Sequence, residues 1–351
     1  MTRTCYARNL RIALDATYSL GQSLSGVGVY SREILNGLAA TDFAEGWDWF
    51  YRSQRYLRAH LQKLPRHVRI RRLSGNKGDR TAPLFHGLNQ RLPELRFRYQ
   101  IATFHDLFVL SGDYSTSEFR ERFASQARAA AAAADIVVAV SAFTALQVEN
   151  YLNVPASRIR VIHHGVLPRP VQPAAPREKI VLCVGALQKR KNQTALIRAF
   201  RAAPPDWTLV LAGSHGYEAE AVLREAANSS AHARIHITGY ISDSAIARWY
   251  ARAAIFAFPS LDEGFGMPAL EAMAAGVPVI AGNRSSLPEI CGNAALLVDP
   301  ASDEQLAHAV NLLADNDDLR MAMVTAGKAH AARFRWQDAV EKTLAVYKEL
   351  V

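Results

Sequence analysis

The sequence has few cysteines and no long apolar run, and each shortage excludes a class of protein. Its 351 residues contain Cys5, Cys183 and Cys291, which are odd in number and far apart. They predict neither a disulfide framework nor a zinc site, and they fit a reducing cytoplasm. No apolar run reaches the ~18 residues of a membrane-spanning helix, and the N-terminus lacks a signal-peptide pattern. We therefore expect a cytoplasmic protein.

Acidic residues are scarce in one segment of a chain whose net charge is +9. Residues 52–98, which begin with Arg52 and end with Arg98, contain 13 Lys and Arg against only Asp79 and Glu94. Such a surface would attract an anionic partner, either an anionic membrane or a lipid-linked diphosphate. A merely solvated face is the alternative. The segment has no nucleic-acid-binding motif and no stacking pattern of aromatics, so we expect no nucleic-acid partner.

Half of the residues are hydrophobic, which is typical of a globular chain, and the length suggests about two domains. Apolar runs alternate with helical patterns throughout, which indicates two doubly wound α/β domains. Four prolines in residues 168–176 indicate a linker. We predict a first domain over 1–168, a linker over 169–178 and a second domain over 179–335.

A glycine-rich stretch in the second domain carries the most informative pattern. The apolar run Ala253–Phe258 predicts a buried strand. Gly264 and Gly266 permit a tight turn and the close approach of a ligand. Pro268 suits the first position of a helix, and Gly276 suits its end. A strand, a glycine turn and a helix N-terminus together suit a phosphate.

Two carboxylates bracket this turn. Glu263 lies on the loop and Glu271 in the expected first helical turn, with seven residues between them. A carboxylate accepts two hydrogen bonds from a vicinal diol, so phosphate and sugar hydroxyls can be recognised side by side. In the alternative interpretation, Glu271 only complements the helix dipole and Glu263 is solvated.

The string Phe-Pro-Ser-Leu-Asp-Glu-Gly-Phe-Gly-Met-Pro-Ala-Leu-Glu at 258–271 resembles the Glu-x7-Glu motif of the retaining family-4 glycosyltransferases. The resemblance continues to Pro300, through Ala-Met-Ala-Ala-Gly-Val-Pro-Val-Ile at 272–280 and Ser-Ser-Leu-Pro-Glu at 285–289. It implies the GT-B fold, in which two Rossmann-like domains face each other across a cleft. It also implies that a C-terminal helix, 336–351, packs back on the first domain.

The resemblance further implies a set of donor-binding residues in the second domain. Arg190 and Lys191 would hold the donor diphosphate, although Ala186 stands where some members carry another arginine. Glu271 would bind the ribose diol, and Glu263 would position the donor sugar. The remaining donor contacts would come from the backbone beside the sugar and from a residue packed on the base, namely Gly264, Phe265, Gly266, Met267 and Tyr240.

In the first domain the implied site residues follow predicted strands. Gly26 and Gly28 form a glycine loop that would face the diphosphate and the acceptor, with Ser25 where the first glycine is usual. His105 would lie beside the donor sugar, and Asp106 would orient the loop or the acceptor. A histidine held by local hydrogen bonds is the alternative for His105. His86 is either an acceptor-side residue or a structural histidine.

The implied reaction is transfer of a sugar from a nucleotide sugar to an acceptor hydroxyl, with retention at the anomeric carbon. His105, Glu263, Arg190 and Lys191 are the predicted catalytic residues, and no protein nucleophile is needed because the leaving phosphate helps to deprotonate the acceptor. The side chains neutralise the diphosphate, so we expect no metal and no cofactor. A glycosidase acid–nucleophile pair is rejected, because diphosphate-binding residues have no role in a hydrolase.

The details resemble bacterial mannosyltransferases of polysaccharide and lipopolysaccharide assembly, notably Phe-His-Asp-Leu-Phe at 104–108. GDP-mannose is the expected donor, and a lipid-linked or other saccharide is the expected acceptor. The protein would then work at the inner face of the cytoplasmic membrane. The alternatives are a UDP-sugar-dependent transferase and an inactive GT-B subunit that binds sugar nucleotide as a scaffold.

Overall fold

The computed structural model describes residues 10–21, 24–65, 67–73, 82–167 and 177–351. No helix within these residues is long and apolar enough to cross a membrane. The chain divides into two compact units. The first contains the described residues up to Leu110, together with Glu118–Gly165 and Trp336–Val351, and the second contains Ser111–Ser117 and Val166–Arg335.

The first unit is built on a seven-stranded sheet in which every neighbouring pair is parallel. The strand order is β3-β2-β1-β4-β5-β6-β7. The strands are β1 (Arg11–Asp15), β2 (Gly46–Arg52), β3 (Val68–Leu73), β4 (Leu84–Gly87), β5 (Tyr99–Phe104), β6 (Ile136–Ala139) and β7 (Ile159–Val161). Its helices are α1 (Gly26–Ala39), α2 (Ser53–Ala59), α3 (Phe108–Ser111), α4 (Ser117–Ala133) and α5 (Ala142–Leu152), with α13 (Trp336–Lys348) returning from the end of the chain.

The second unit repeats this plan with six parallel strands in the order β10-β9-β8-β11-β12-β13. The strands are β8 (Glu178–Val184), β9 (Thr208–Ala212), β10 (Ile235–Gly239), β11 (Ala253–Phe258), β12 (Val279–Gly282) and β13 (Ala295–Val298). The helices are α6 (Gln193–Phe200), α7 (Ala219–Asn228), α8 (Asp243–Arg252), α9 (Met267–Ala274), α10 (Leu287–Cys291), α11 (Asp303–Ala314) and α12 (Asp317–Ala331).

The two strand orders confirm the predicted doubly wound α/β architecture. In each sheet the order reverses once, between β1 and β4 in the first unit and between β8 and β11 in the second. Ligands of open parallel sheets bind outside the carboxyl ends of the strands at such a reversal. The loops that follow β8 and β11 therefore lie where a ligand site is expected.

Strand β2 was missed in the sequence because a charged residue interrupts its apolar pattern. Its sequence is Gly-Trp-Asp-Trp-Phe-Tyr-Arg, and all but the last residue are buried. The buried Asp48 pairs with Arg11 at 2.8 Å and with Arg71 at 3.6 Å. Burial of a charge is tolerated when it is paired, and the partners come from the neighbouring strands β1 and β3. Only the assembled sheet brings these partners together.

Helix α1 corrects the predicted glycine loop at its start. The family resemblance implied a glycine loop formed by Gly26 and Gly28, but both residues lie in the helix, which begins at Gly26. Ser25 caps it, because its Oγ accepts a hydrogen bond of 3.3 Å from the Gly28 N–H. A Cβ on Gly28 would lie 2.9 Å from the Tyr18 carbonyl oxygen, whereas a Cβ on Gly26 would meet nothing within 4 Å. Gly28 is thus required by packing, and Gly26 is not.

Helix α13 belongs to the first unit, although it follows the second in sequence. The Tyr347 hydroxyl lies 2.7 Å from His86 Nδ1, and a Cβ on Gly37 would collide with Val340. These contacts pack α13 against β4 and α1 of the first unit. The predicted linker lies almost entirely outside the described residues, so the proposed domain limits stay a prediction.

His86 is fully buried, and its other ring nitrogen, Nε2, lies 2.8 Å from Thr103 Oγ1. Burial, with a smaller contribution from His105, lowers the pKa of His86 to about 3. Burial likewise lowers the pKa of His105 to about 4. Both imidazoles are therefore neutral in the folded protein at neutral pH.

We expect the free energy of unfolding to fall as the pH drops from 6.5 towards 4. Below pH 6.5 the unfolded chain takes up protons at these histidines, while the folded chain does so only near their lowered pKa values. The loss is about 1.4 kcal/mol per pH unit for each histidine. Urea unfolding at a series of pH values measures the slope. His86→Gln should reduce the slope by about 1.4 kcal/mol per pH unit, because one buried histidine is removed.

Candidate active site

The two candidate loops of the second unit lie at neighbouring strand ends. The basic turn Lys189–Lys191 follows β8, and the glutamate loop, residues 259–266, follows β11. β8 and β11 pair directly at the reversal of strand order. The sheet therefore brings together two segments that are about 70 residues apart in the sequence.

Hydrogen bonds to backbone carbonyl oxygens hold the two loops together. The Leu261 N–H donates to the Arg190 carbonyl oxygen at 2.8 Å, and the Arg190 guanidinium donates to the Asp262 carbonyl oxygen. Asn192, which adopts a left-handed conformation with φ of 57°, donates its side-chain amide to the carbonyl oxygens of Pro259 and Pro300 at 3.2 and 2.6 Å. The basic turn is thus held in one position against the end of β11.

Arg190, Lys191 and Glu263 form one buried ion cluster. Arg190 Nη1 lies 3.1 Å from Glu263 Oε2, and Lys191 Nζ donates a short hydrogen bond to Glu263 Oε1. Lys191 Nζ also lies 4.6 Å from the centre of the Phe258 ring, within the range of a cation–π interaction. All three charged residues are less than 9 % exposed. Two cations and one carboxylate leave the cluster with one net positive charge.

The cations keep Glu263 ionised in spite of its burial. Burial by itself would raise the pKa of Glu263, but the neighbouring charges of Arg190 and Lys191 lower it below its usual value. A desolvated charge next to an opposite charge interacts with it far more strongly than on the surface. The site can therefore present fixed cationic groups and a fixed carboxylate to a ligand.

Glu271 differs from the prediction in its position on α9. The helix begins at Met267, with Gly266 as its N-cap at φ of 94°, so Glu271 is the fifth helical residue and not part of the first turn. Its Oε2 accepts a hydrogen bond from the Tyr250 hydroxyl at 3.2 Å, and this hydroxyl also lies 3.2 Å from the Pro268 carbonyl oxygen. Because Glu271 lies beyond the first turn, complementing the helix dipole does not account for it.

The glycine turn before α9 is sterically restricted. A Cβ on Gly266 would lie 2.6 Å from Leu287 Cδ2, and its φ lies in the region that favours glycine. Gly264 and Phe265 are buried, Met267 is half-buried, and the Phe265 ring packs edge-on against Phe334. These contacts fix the turn that carries Glu263 into α9.

The turn at Ser285 and Ser286 holds the backbone of Glu263 by two hydrogen bonds. Ser285 Oγ accepts a hydrogen bond of 3.1 Å from the Glu263 N–H, and the Ser286 N–H donates to the Glu263 carbonyl oxygen at 3.3 Å. Ser285 adopts a left-handed conformation, with φ of 57°, which is unusual for a residue other than glycine. Ser285 Oγ also donates to the Arg284 carbonyl oxygen at 2.6 Å.

Residues 111–117 also belong to this unit. The Ser111 hydroxyl donates to the carboxylate of Asp262, and Asp113 Oδ2 lies 3.8 Å from Lys189 Nζ. Burial and the nearby Asp262 raise the pKa of Tyr114, while Lys189, Arg190 and Arg284 oppose this shift. The contacts of this segment are thus with residues beside the ion cluster.

Tyr240 follows the end of β10 and is 63 % exposed. The preceding Gly239 has φ of 64°, and a Cβ there would meet nothing within 4 Å. An exposed aromatic ring beside open backbone is available to pack on a planar ligand. Its predicted role at the nucleotide base stays a prediction.

His105 lies in a buried cluster of aromatic rings in the first unit. The His105 ring centre lies 4.7 Å from that of Tyr30 and 5.4 Å from that of His164. His105 Nε2 lies 3.0 Å from the Leu88 carbonyl oxygen. A carbonyl oxygen only accepts, so Nε2 carries the proton and Nδ1 is the acceptor nitrogen of this ring. Asp106 is half-buried directly after His105.

For His86, the structure favours one of the two roles that the sequence left open. Its side chain has no exposed surface, and both ring nitrogens lie within hydrogen-bond distance of protein hydroxyls, those of Thr103 and Tyr347. It therefore has no free ring nitrogen to offer an acceptor, which favours the structural interpretation of this histidine. Among the residues that the structure describes, no group of three or more His, Cys, Asp or Glu is placed to hold a metal ion.

The sequence assigned no role to the residues that position the site. Asn192, Ser285, Ser111 and Asp262 lie around the ion cluster and Tyr250 lies beside Glu271, and all act through hydrogen bonds that the fold creates. Asn192 carried a weak signal, because asparagine tolerates a left-handed conformation and follows the basic turn directly. Asp262 and Ser285 stand in the strings that resemble the family, but the strings did not indicate their roles, and the local sequence gives no reason to choose Ser111 or Tyr250.

Two family models match the chain in succession. The model described as Glycosyltransferase Family 4 matches residues 43–168, and the model described as Glycosyl transferases group 1 matches residues 169–330. Their boundary falls at residue 168, where the proline-rich stretch begins. Together the two matches account for most of the chain, including the basic turn, the glutamate loop and α9.

Individual proteins give the same result. The chain is 28% identical to O-antigen chain mannosyltransferase B of Escherichia coli over 95% of its own length and 99% of that protein. It is 35% identical to a GDP-mannose-dependent monoacylated alpha-(1-6)-phosphatidylinositol monomannoside mannosyltransferase of Corynebacterium glutamicum, over 45% of its own length and 44% of that protein. In structure it resembles a sucrose-phosphate synthase of Thermosynechococcus elongatus, with a TM-score of 0.78, 23% identity and coverage of 97% and 99% of the two chains.

These matches establish the class of the protein. The chain belongs to the family-4 glycosyltransferases, also described as glycosyl transferases group 1, and has the GT-B fold. The resemblance inferred from the Glu-x7-Glu string is thereby confirmed.

We expect glycine to be tolerated better than alanine at Ser285. Both variants lose the hydrogen bond to the Glu263 N–H, but only Ser285→Ala must hold a Cβ in the left-handed region, at a cost of about 1 kcal/mol. Urea unfolding of the two variants measures this difference. At Ser125, which is exposed in the interior of α4, the order should reverse, because alanine is favoured over glycine in a helix interior by about 1 kcal/mol. Equal stability of the two Ser285 variants would contradict the left-handed geometry.

Proposed function

We propose that this chain transfers mannose from GDP-mannose to a saccharide or lipid-linked acceptor, with retention at the anomeric carbon. The observation that carries the proposal is the buried cluster of Arg190, Lys191 and Glu263 at the carboxyl ends of β8 and β11. Fixed cations at that location suit a diphosphate, and a fixed carboxylate beside them suits sugar hydroxyls. The similarity to a mannosyltransferase along nearly the whole chain supports mannose as the sugar.

Arg190 and Lys191 would stabilise the charge that develops on the leaving diphosphate. Guanidinium and ammonium groups form charge-assisted hydrogen bonds with phosphate oxygens. Because both groups are buried and held by the Glu263 carboxylate, they need little reorganisation as the bond to the sugar breaks. The cluster of Arg190, Lys191 and Glu263 carries one net positive charge, so it attracts an anion even though Glu263 is ionised. We propose that these side chains neutralise the diphosphate without a metal ion.

Glu263 would position the donor sugar from its place between the two cations. Its backbone is held by the Ser285 hydroxyl and the Ser286 N–H, and its carboxylate by Arg190 and Lys191. A carboxylate fixed in this way orients the donor sugar. The leaving phosphate then accepts the proton of the acceptor hydroxyl. We therefore assign no protein nucleophile. His105 and Asp106 keep their predicted roles beside the donor sugar and the acceptor.

Glu271 would accept hydrogen bonds from the two hydroxyls of the donor ribose. Its Oε2 accepts a hydrogen bond from the Tyr250 hydroxyl, which fixes the orientation of the carboxylate. The free N–H groups at the N-terminus of α9 precede Glu271 on the same helix, and such N–H groups favour phosphate. Phosphate and ribose would thus be bound along one helix.

The acceptor is proposed from the names of the relatives. The E. coli relative is a mannosyltransferase of the O-antigen chain, and the C. glutamicum relative acts on a phosphatidylinositol mannoside. Both names describe the addition of mannose to a saccharide, and in the second the saccharide is carried on a lipid. We propose such an acceptor in cell-surface polysaccharide assembly, reached by contact between the basic segment 52–98 and an anionic membrane.

We expect GDP and GDP-mannose to raise the melting temperature, and UDP compounds to have a smaller effect. A ligand that binds only the folded form stabilises it by mass action. With a mannoside acceptor, the product should show the α-anomeric proton signal by NMR, and transfer should persist in EDTA. A response to UDP compounds alone would replace the donor but keep the enzyme class. Binding of GDP-mannose without transfer or hydrolysis would favour the scaffold alternative.

We expect Glu271→Ala to weaken GDP binding about 10- to 100-fold, because it removes charge-assisted hydrogen bonds to the ribose. Tyr250→Phe should cause a smaller loss, because it removes only the group that orients the carboxylate. Isothermal titration calorimetry with GDP measures both. The matched control is Glu220→Ala, an exposed glutamate on α7, which should bind GDP like the unmodified protein. Unchanged affinity of Glu271→Ala would remove the ribose role.

A further inference from the structure

Helix α2 exposes two leucines on a short basic element of the first unit. Leu57 is 79 % exposed and Leu61 is 87 % exposed. Leu61 lies on the turn that continues the helix, where the N–H groups of Leu61 and Gln62 donate to the carbonyl oxygens of Arg58 and Ala59 at 3.2 Å. Residues four apart on a helical turn lie on the same side. The two leucines therefore form one apolar ridge.

The ridge belongs to a segment that is rich in basic residues and contains no acidic residue. Residues 52–73 contain eight Lys and Arg and no Asp or Glu. Arg52 and Arg71 reach carboxylates on neighbouring strands. Arg58, Lys63 and Arg69 are exposed and form no ion pair with any residue that the structure describes. Their charge is directed to solvent.

The ridge stands at the outer edge of the sheet. α2 connects β2 to β3, and β3 is the last strand on that side. Arg72 on β3 donates to the Ser53 hydroxyl at 3.2 Å, and Arg55 on α2 donates to the Leu20 carbonyl oxygen at 2.7 Å. These two bonds fix α2 to the unit and leave the leucines pointing away from it.

We propose that α2 and the following turn, residues 53–63, dock on an anionic lipid bilayer with Leu57 and Leu61 inserted among the acyl chains. Basic residues near an anionic leaflet attract it over a Debye length, and apolar side chains buried at the interface add affinity that salt does not screen. The ridge supplies the second contribution and the exposed Arg58, Lys63 and Arg69 supply the first. This extends the proposed membrane contact from a net charge to a defined inserting element.

A lipid surface explains both halves of this feature. A nucleic acid or a soluble diphosphate would pair with the cations but offers no apolar environment for two leucines. A second copy of the chain would cover the leucines, but it would bring the same positive charges against each other. An anionic bilayer complements the charge and receives the apolar side chains at the same face.

The test is sedimentation with vesicles of phosphatidylcholine containing about one third phosphatidylglycerol, measured without donor or acceptor. The full chain should bind these vesicles and bind pure phosphatidylcholine vesicles much less. Leu57→Ser with Leu61→Ser should weaken binding roughly tenfold or more, because two buried leucine side chains are lost. The matched control is Leu146→Ser, which is 57 % exposed on α5 beside β6 and β7, at the opposite edge of the same sheet. It should bind as the unmodified chain does.

Salt separates the two contributions. Raising the salt concentration should weaken the binding of the unmodified chain, and the double serine variant should lose most of its remaining binding at high salt. Arg58→Gln with Lys63→Gln should bind more weakly at low salt and depend less on salt. An unchanged melting temperature would verify that each variant is folded.

Three results would overturn the proposal. The double serine variant could bind vesicles as tightly as the unmodified chain, or Leu146→Ser could lose as much binding. The double variant could instead change the mass of the protein in solution, measured by light scattering, and leave vesicle binding unaltered, which would make the ridge an interface between copies. Because no donor is present, none of these results depends on the identity of the sugar nucleotide.

Discussion

The candidate site of the second unit depends on one buried carboxylate held between two cations. Glu263 pairs with Arg190 and Lys191 where almost no solvent reaches any of the three. Removing one partner of a buried pair typically costs 3–5 kcal/mol, because the remaining charge is desolvated and uncompensated. The loop after β11 and the turn after β8 are therefore held together by the charges that would bind the substrate. Stability and function share these groups.

Strand order explains why these groups meet. In a parallel sheet the carboxyl ends of all strands lie at the same end of the sheet. Where the strand order reverses, the connections that follow the two neighbouring strands lead to opposite faces of the sheet. The basic turn and the glutamate loop follow the two strands at that reversal, and Asn192, Ser285 and the Asp262 backbone fix them there. The first unit has the same order, and its neutral histidines lie among buried aromatic rings, where burial disfavours charge.

Periodic and local features of the sequence predicted the structure well. The strand Ala253–Phe258 follows from an apolar run and is confirmed. Where a prediction was wrong, a distant partner or a cap altered the local preference. β2 carries a buried aspartate that only Arg11 and Arg71 make tolerable. Ser25 starts α1 at glycines that favour a loop.

The sequence by itself determined the fold class, the family and the charged residues of the candidate site, because each depends on composition, period or a contiguous string. Only the tertiary structure decided which of those charges meet. It joined Arg190 and Lys191 to Glu263, moved Glu271 beyond the first turn towards Tyr250, and buried His86 between Thr103 and Tyr347. These contacts join residues distant in sequence, and their energies depend on burial, which exists only once the sheets have assembled.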